Sequence, residues 1–123
     1  MLNNFLYVFL GGGIGSAVRF GISVLMITYY RGSFPIATLI SNTLSCLILA
    51  LTVFFMGEKS NMNLSLWFLI ITGFCGGFST FSAFSYETIE MIKSGNHLYA
   101  VLNVAVSILA CFGIMWIFIR SNA

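Results

Sequence analysis

Charged residues are scarce in this chain. They make up 7% of its 123 residues, whereas 59% are hydrophobic, and only three residues are acidic. Soluble domains carry about 25% charged residues. The shortage of charge therefore excludes a soluble domain and places the chain in a lipid bilayer.

Long apolar stretches fill almost the whole length. Four of them, at about residues 3–29, 34–56, 64–92 and 97–119, reach the roughly 20 residues that a helix needs to cross the hydrocarbon core. Loops at 30–33, 57–63 and 94–96 join them. The one proline, Pro35, stands at the tolerated first turn of the second span. The sequence predicts an all-α membrane protein, with residues 1–123 forming a single transmembrane domain.

The chain lacks both a basic cluster and an internal repeat. Its net charge of +2 is scattered over the span ends, which excludes nucleic-acid binding. Lys59 and Arg120 lie on one side of the membrane, opposite Arg31 and Lys93, so the Lys/Arg bias that sets orientation is close to zero. Many transporters bury their site between inverted repeats. A single unit with balanced charge obtains that symmetry by pairing with an inverted copy, so we expect an antiparallel, dual-topology dimer.

Cysteines are few and have no metal-ligand spacing. Cys46, Cys75 and Cys111 lie in three different spans, as expected of small packing residues. There is also no ordered set of carboxylate and imidazole groups that resembles a hydrolytic centre. We therefore do not expect an enzyme.

Acidic residues are absent from the first two spans, where Arg19 is the only deep charge. This argues against a cation pathway. Charges inside a membrane are costly and are usually paired or functional. Arg19 either caps loop carbonyls or helix C-termini, or biases the local potential toward anions. The small residues at 11–17 of the same span have the spacing that lets helix backbones approach closely.

The third span contains the run GFCGGFSTFSAF at residues 73–84. Glycines lower helix stability, and non-helical backbone at membrane depth is tolerated only where it is buried in protein or lines a watery cavity. The run therefore predicts a broken third helix. The carbonyls freed between Gly76 and Ser79 suit a hard monovalent cation, which would tie two protomers together.

Hydrogen-bond donors form rows on two other spans. Thr38, Asn42 and Ser45 share one face of the second span. Four residues spaced four apart share one row of the fourth span, and the first three of them can donate hydrogen bonds: Tyr99, Asn103, Ser107 and Cys111. These rows indicate either interhelical hydrogen bonding or donation to a permeating anion.

Two phenylalanines follow the glycines of the third span. Phe81 and Phe84 lie on one face of the helix that resumes there. They either pack in the ordinary way or offer the positive edges of their rings to an anion.

Three motifs together resemble the Fluc/CrcB family of small fluoride channels, over nearly the entire chain. They are residues 12–19 (GGIGSAVR), residues 35–42 (PIATLISN) and residues 76–84 (GGFSTFSAF), the last followed by Glu87. The resemblance implies passive, selective fluoride export through two parallel pores of an antiparallel dimer. It also implies a multi-pass protein of the bacterial cell membrane. Whether the chain pairs with itself or with a paralogue stays open.

The resemblance also implies residue roles. Arg19 ends the first of these motifs, and a structural role is preferred for it while an electrostatic one stays open. The carbonyls of Gly76 and Ser79 would hold a sodium ion at the dimer axis. The expected anion pathway consists of Asn42, Phe81, Ser82, Phe84, Tyr99, Asn103 and Ser107.

Four positions depart from the family pattern. Ser79 and Ala83 stand where Thr is common, Ala37 where Gly is common, and Asn103 where Ser is frequent. Ser79 should still serve as a backbone ligand. Ala83 removes one hydroxyl, and Asn103 is bulkier but still donates.

Two other functions compete with the channel. A small four-span multidrug or cation exporter needs an embedded carboxylate early in the chain, which is missing here. A non-transporting membrane assembly subunit has no need for the asparagine, the hydroxyl row and the phenylalanine pair together.

Overall fold

A computed structural model of the chain describes residues 1–57 and 63–121. Throughout the described residues the regular structure is helical, in four segments that are long and apolar enough to cross a membrane: Leu2–Tyr29, Ile36–Met56, Leu64–Lys93 and His97–Arg120. The prediction of an all-α protein with four candidate spans is confirmed. Most of the predicted loop at 57–63, including Lys59, lies outside the described residues.

The elements follow one another in a simple order. They are α1 (Leu2–Tyr29), α2 (Ile36–Met56), α3 (Leu64–Leu66), a π-helix (Trp67–Cys75), α4 (Gly76–Phe78), α5 (Phe81–Lys93) and α6 (His97–Ser121). The third candidate span thus contains four of them, α3 to α5. Its π-helical segment is unusual, because π-helices are rare in proteins. Where they occur, they often lie at functional sites.

The helical run of the third span ends at Phe78 and resumes at Phe81. Ser79 (φ −85°, ψ 159°) and Thr80 (φ −151°, ψ 120°) have extended backbone. Thr80 then begins α5, since its Oγ1 accepts a hydrogen bond of 3.1 Å from the Ala83 N–H, as an N-cap hydroxyl does. The glycines from which the break was predicted, Gly73, Gly76 and Gly77, are themselves helical. The two residues that are not helical are Ser79 and Thr80.

Glycines bring α1 against the third span. Gly11 and Gly15 are buried on α1, and a Cβ added at Gly15 would overlap the Phe74 carbonyl oxygen and lie 2.8 Å from the Phe78 nitrogen. Small residues allow this close backbone approach between membrane helices. Helix α1 therefore packs on the π-helix and α4, while α2 packs on α6.

A tight turn folds α6 back beside α5. Gly95 adopts φ +86°, a left-handed conformation that glycine reaches without a Cβ penalty. Its N–H donates to the Ile92 carbonyl (3.1 Å), and the Asn96 N–H donates to Met91 (2.8 Å). These bonds satisfy carbonyls at the end of α5 and make α5 and α6 antiparallel neighbours.

Candidate functional site

Arg19 reaches the end of the helical run in the third span. Its Nε donates a hydrogen bond of 3.2 Å to the Gly77 carbonyl oxygen, and the Ser16 hydroxyl donates to the same oxygen at 3.5 Å. A carbonyl this close to a helix end has no intrahelical partner. The hydrogen bond from Arg19 to the Gly77 carbonyl agrees with the interpretation in which Arg19 caps a helix C-terminus.

Asn42 holds the non-helical residues in place. Its Nδ2 donates to the Thr80 carbonyl oxygen (3.2 Å), and its Oδ1 accepts from the Thr80 N–H (2.7 Å). One side chain of α2 thus satisfies both backbone groups of a residue that lacks helical partners. Buried backbone groups need such partners. The second N–H of the amide has no partner among the described residues.

Ser45 connects α2 to the end of the π-helix. Its hydroxyl donates 2.8 Å to the Cys75 carbonyl oxygen, which also accepts from the Ser79 hydroxyl at 2.8 Å. Asn42 and Ser45 therefore tie α2 to the third span on either side of Ser79. These two members of the predicted donor row on α2 thus bond to the third span.

A cavity of about 270 Å³ opens beside these contacts and is called here the Asn42 cavity. Every described residue that lines it is uncharged: Asn42, Cys46, Ser79, Thr80, Phe81, Phe84, Ser107, Ile108, Cys111 and Phe112. The hydroxyl of Ser107 is buried and has no hydrogen-bond partner among the described residues. The cavity wall thus combines an amide, a free hydroxyl and aromatic rings.

Phe81 and Phe84 form a ring pair in this wall. Their centroids lie 5.9 Å apart and their planes are inclined by 44°. The Phe81 side chain is 74% exposed in the single chain, so this ring is not a core packing residue of the protomer. Large exposed apolar side chains mark contact with lipid or with a partner.

Three predicted pathway residues lie outside the lining of the Asn42 cavity. Asn103 is fully buried and donates 2.9 Å to the Thr88 hydroxyl, while its Oδ1 has no described partner. The Tyr99 ring meets Phe34 edge-on at 5.6 Å. The Ser82 hydroxyl lies 3.2 Å from the Thr80 hydroxyl. The structure brings together only the other four: Asn42, Phe81, Phe84 and Ser107.

The carbonyl oxygens of Gly76 and Ser79 lie around the helix end. Neither accepts a hydrogen bond from a described residue. Oxygens without donors are the ligands that a hard cation takes, so these two groups fit a monovalent cation. Clusters of three or more His, Cys, Asp or Glu side chains that could hold a metal do not occur in the described residues.

Sequence reasoning missed five residues of the cavity wall, of which Ile108 and Phe112 are apolar and Cys46, Thr80 and Cys111 carry a thiol or a hydroxyl. Thr80 was not expected to bond to Asn42, and Cys46 and Cys111 were expected only to pack. A signal for both cysteines was present, because Cys46 follows Asn42 and Cys111 follows Ser107 by four residues, which is one helical turn. That spacing places each thiol above a cavity residue.

Comparison with known proteins identifies the family. The family described as CrcB-like protein, Camphor Resistance (CrcB), matches residues 6–119. The chain belongs to the CrcB family. The resemblance inferred from the three motifs is therefore confirmed.

Relatives of this CrcB chain include proteins named fluoride-specific ion channel FluC. One from Coxiella burnetii (strain CbuK_Q154) is 40% identical over 115 residues, which cover 93% of each chain. One from Flavobacterium psychrophilum is 37% identical over 102 residues, covering 83% of this chain and 82% of the relative. One from Shewanella sp. (strain ANA-3) is 36% identical over 116 residues, covering 94% and 93%. With bacterial relatives and four spans, this CrcB chain is a multi-pass protein of the bacterial cell membrane.

Proposed function

We propose that this chain forms a fluoride-selective ion channel that lets fluoride leave the cell passively and so lowers cytoplasmic fluoride. Membership of the CrcB family and relatives named fluoride-specific ion channels support this function. The observation in the structure that carries it is the Asn42 cavity, whose described lining includes an amide, a hydroxyl without a described partner and a phenylalanine pair, and no charged residue. A channel catalyses no reaction, so no enzymatic activity is expected.

The chemistry of the cavity suits a small anion. Fluoride is small and strongly hydrated, so a pore has to replace lost water with close donors. Asn42 and Ser107 offer N–H and O–H groups, and the edges of the rings of Phe81 and Phe84 carry partial positive charge. Because the described wall contains no cationic side chain, each contact stays moderate and the ion can leave, as conduction requires.

The rest of the predicted pathway extends from the same helices. Asn103 and Tyr99 follow Ser107 toward the N-terminal end of α6, and Ser82 lies beside Thr80. We infer that these three groups line the pathway outside the Asn42 cavity. The rival cation exporter is disfavoured because α1 and α2 contain no Asp or Glu to bind a cation and a proton.

We further propose that two copies of the chain assemble as an antiparallel, dual-topology dimer, in which the third helix is broken at membrane depth. The balanced Lys/Arg distribution allows insertion either way up. Phe81 is largely exposed in one protomer, so a partner would complete its surroundings. Non-helical backbone such as Ser79–Thr80 is tolerated in a membrane only when protein or a cavity surrounds it.

A sodium ion would tie the two copies together. The donor-free carbonyl oxygens of Gly76 and Ser79 would hold it, and its positive charge would offset these carbonyl dipoles at the dimer axis. Arg19 then has a structural role, because it pairs with the intervening Gly77 carbonyl.

The proposed assembly predicts C-terminal tags on both faces of the membrane. We expect the C-terminal tag to give comparable signals when it is detected from each side of the membrane of the cells. We also expect the detergent-solubilised dimer to dissociate more readily when an organic cation replaces sodium. A single tag orientation would contradict dual topology. Dimer stability that does not change with sodium would contradict the ion.

The proposed function predicts fluoride efflux from liposomes without chloride efflux. Replacement of Phe81 by isoleucine removes the ring edge and should slow fluoride efflux by at least about tenfold, which corresponds to about 1.4 kcal/mol of barrier. Ion-selective electrodes measure both fluxes. Phe9 is the matched control, because it is 75% exposed where Phe81 is 74% exposed and lies outside the Asn42 cavity. A chain without fluoride efflux would reject the channel, and equal losses in Phe9→Ile and Phe81→Ile would reject the site.

A further inference from the structure

We propose that Cys46 and Cys111 form a two-thiol site for a soft d10 metal ion, with mercury(II) as the defining case, in the wall of the Asn42 cavity. The two residues come from α2 and α6, which pack against each other. Both line the same cavity, and their thiol groups lie close enough to interact. Neither is used by the anion pathway proposed above.

The number of ligands selects the kind of metal. Thiolates are soft ligands that prefer soft metal ions. In the part of the chain that the structure describes, no group of three or more His, Cys, Asp or Glu side chains can hold a metal. A structural zinc ion needs four ligands, so two thiols do not make a zinc site. They do suit an ion that accepts two ligands in a line, as mercury(II) does.

The charge balance favours the divalent ion in this setting. Each thiol loses its proton to water on metal binding, and two Hg–S bonds form. One Hg²⁺ thus replaces two protons, and the bis-thiolate complex is neutral. An uncompensated charge would be costly among Phe81, Phe84 and Phe112, whereas a neutral complex is not.

Occupation of this site would close the anion pathway. Cys46 follows Asn42 by one turn and Cys111 follows Ser107 by one turn, so a metal between the two sulfurs lies next to both donors of the cavity. Block of flux rests on the proposed channel function. The metal site itself does not.

Cys75 is the natural control thiol. It is buried and lines a different cavity of about 170 Å³ with Cys46 and Met115. Its carbonyl oxygen accepts a hydrogen bond from the Ser45 hydroxyl at 2.8 Å. Metal bound through Cys75 alone would have one Hg–S bond and would be removed by an excess of monothiol.

Intact-protein mass spectrometry tests the site without reference to flux. After mercury(II) treatment and a monothiol wash, the purified chain and Cys75→Ala should each retain one mercury and lack two protons. Cys46→Ala and Cys111→Ala should retain none. Retention by either of these two variants, loss in Cys75→Ala, or mercury that bridges two chains would overturn the proposal.

Fluoride efflux from liposomes supplies the second readout. Relative to each protein's own flux before metal, mercury(II) and a monothiol wash should lower efflux by more than about tenfold in the unchanged chain and in Cys75→Ala, because an ion held in a narrow pathway obstructs it. A dithiol should restore the flux, and Cys46→Ala and Cys111→Ala should escape block. Equal block of Cys111→Ala would overturn the assignment. If the unchanged chain shows no efflux before metal, the channel fails while the mass measurement still decides the site.

Discussion

Replacement of Asn42 by alanine is expected to lower fluoride efflux by about 100-fold, the equivalent of about 2.7 kcal/mol of barrier. Alanine removes the donor that the anion would meet, and it also removes both hydrogen bonds to Thr80. A backbone group left without a partner in a buried site costs about 1–3 kcal/mol. The non-helical backbone at Thr80 would then shift, and the ring of Phe81 next to it would move with it.

One further variant tests the loss of the donor, and a second serves as the control. Asn42→Asp keeps an acceptor for the Thr80 N–H, but it loses the donor and places negative charge on the anion path, so its flux should stay as low as that of Asn42→Ala. Thr43→Val is the matched control on α2, since the Thr43 hydroxyl is buried without a described partner and valine has nearly the same shape. Electrode measurements on liposomes compare all three. Flux in Asn42→Ala near that of the unchanged chain would remove Asn42 from the pathway.

Replacement of Gly15 by alanine is expected to prevent the native packing of α1 on the third span. The new Cβ would overlap the Phe74 carbonyl oxygen and lie 2.8 Å from the Phe78 nitrogen. Both are backbone atoms, so no side-chain rotation can relieve the clash. Forced overpacking costs about 1–3 kcal/mol where neighbours can adjust, and backbone atoms adjust least. We therefore expect a large fall in folded, monodisperse protein.

Gly13→Ala is the matched control for this prediction. It makes the same chemical change in the same helix, two residues away, at a position where an added Cβ meets no atom of residues 1–57 and 63–121 within 4 Å. Alanine is better than glycine in a helix by about 1 kcal/mol, so this variant should stay folded. Thermal unfolding and size-exclusion profiles of the purified proteins measure the folding and the monodispersity of both variants, independently of transport. Similar profiles for the two variants would contradict close packing at Gly15.

Asn42 illustrates what the sequence could and could not predict about the site. Its donor row on the second span was visible from spacing, because residues four apart share a helix face. Its pairing with both backbone groups of Thr80 was not visible. That pairing joins residues 38 positions apart, and only the packing of α2 on the third span brings them together.

The third span gives a similar lesson about local and tertiary effects. Low helix propensity of glycine pointed to the right stretch of chain, but the glycines remain helical and the extended residues are Ser79 and Thr80. Propensity is a weak preference that tertiary contacts override. Here the glycines serve the approach of α1, since a Cβ at Gly77 would overlap the Gly12 carbonyl oxygen.

The sequence by itself determined the class of the protein, its four candidate spans and its family. These follow from hydropathy and from contiguous motifs, which are properties of neighbouring residues and need no tertiary contact. Tertiary structure alone decided that Arg19 meets Gly77, that Asn42 and Ser107 share a cavity with the phenylalanine pair, and that Cys46 and Cys111 line that same cavity. Each of these contacts depends on how helices from distant parts of the chain pack, and side-chain spacing within one helix carries no information about which helix lies opposite.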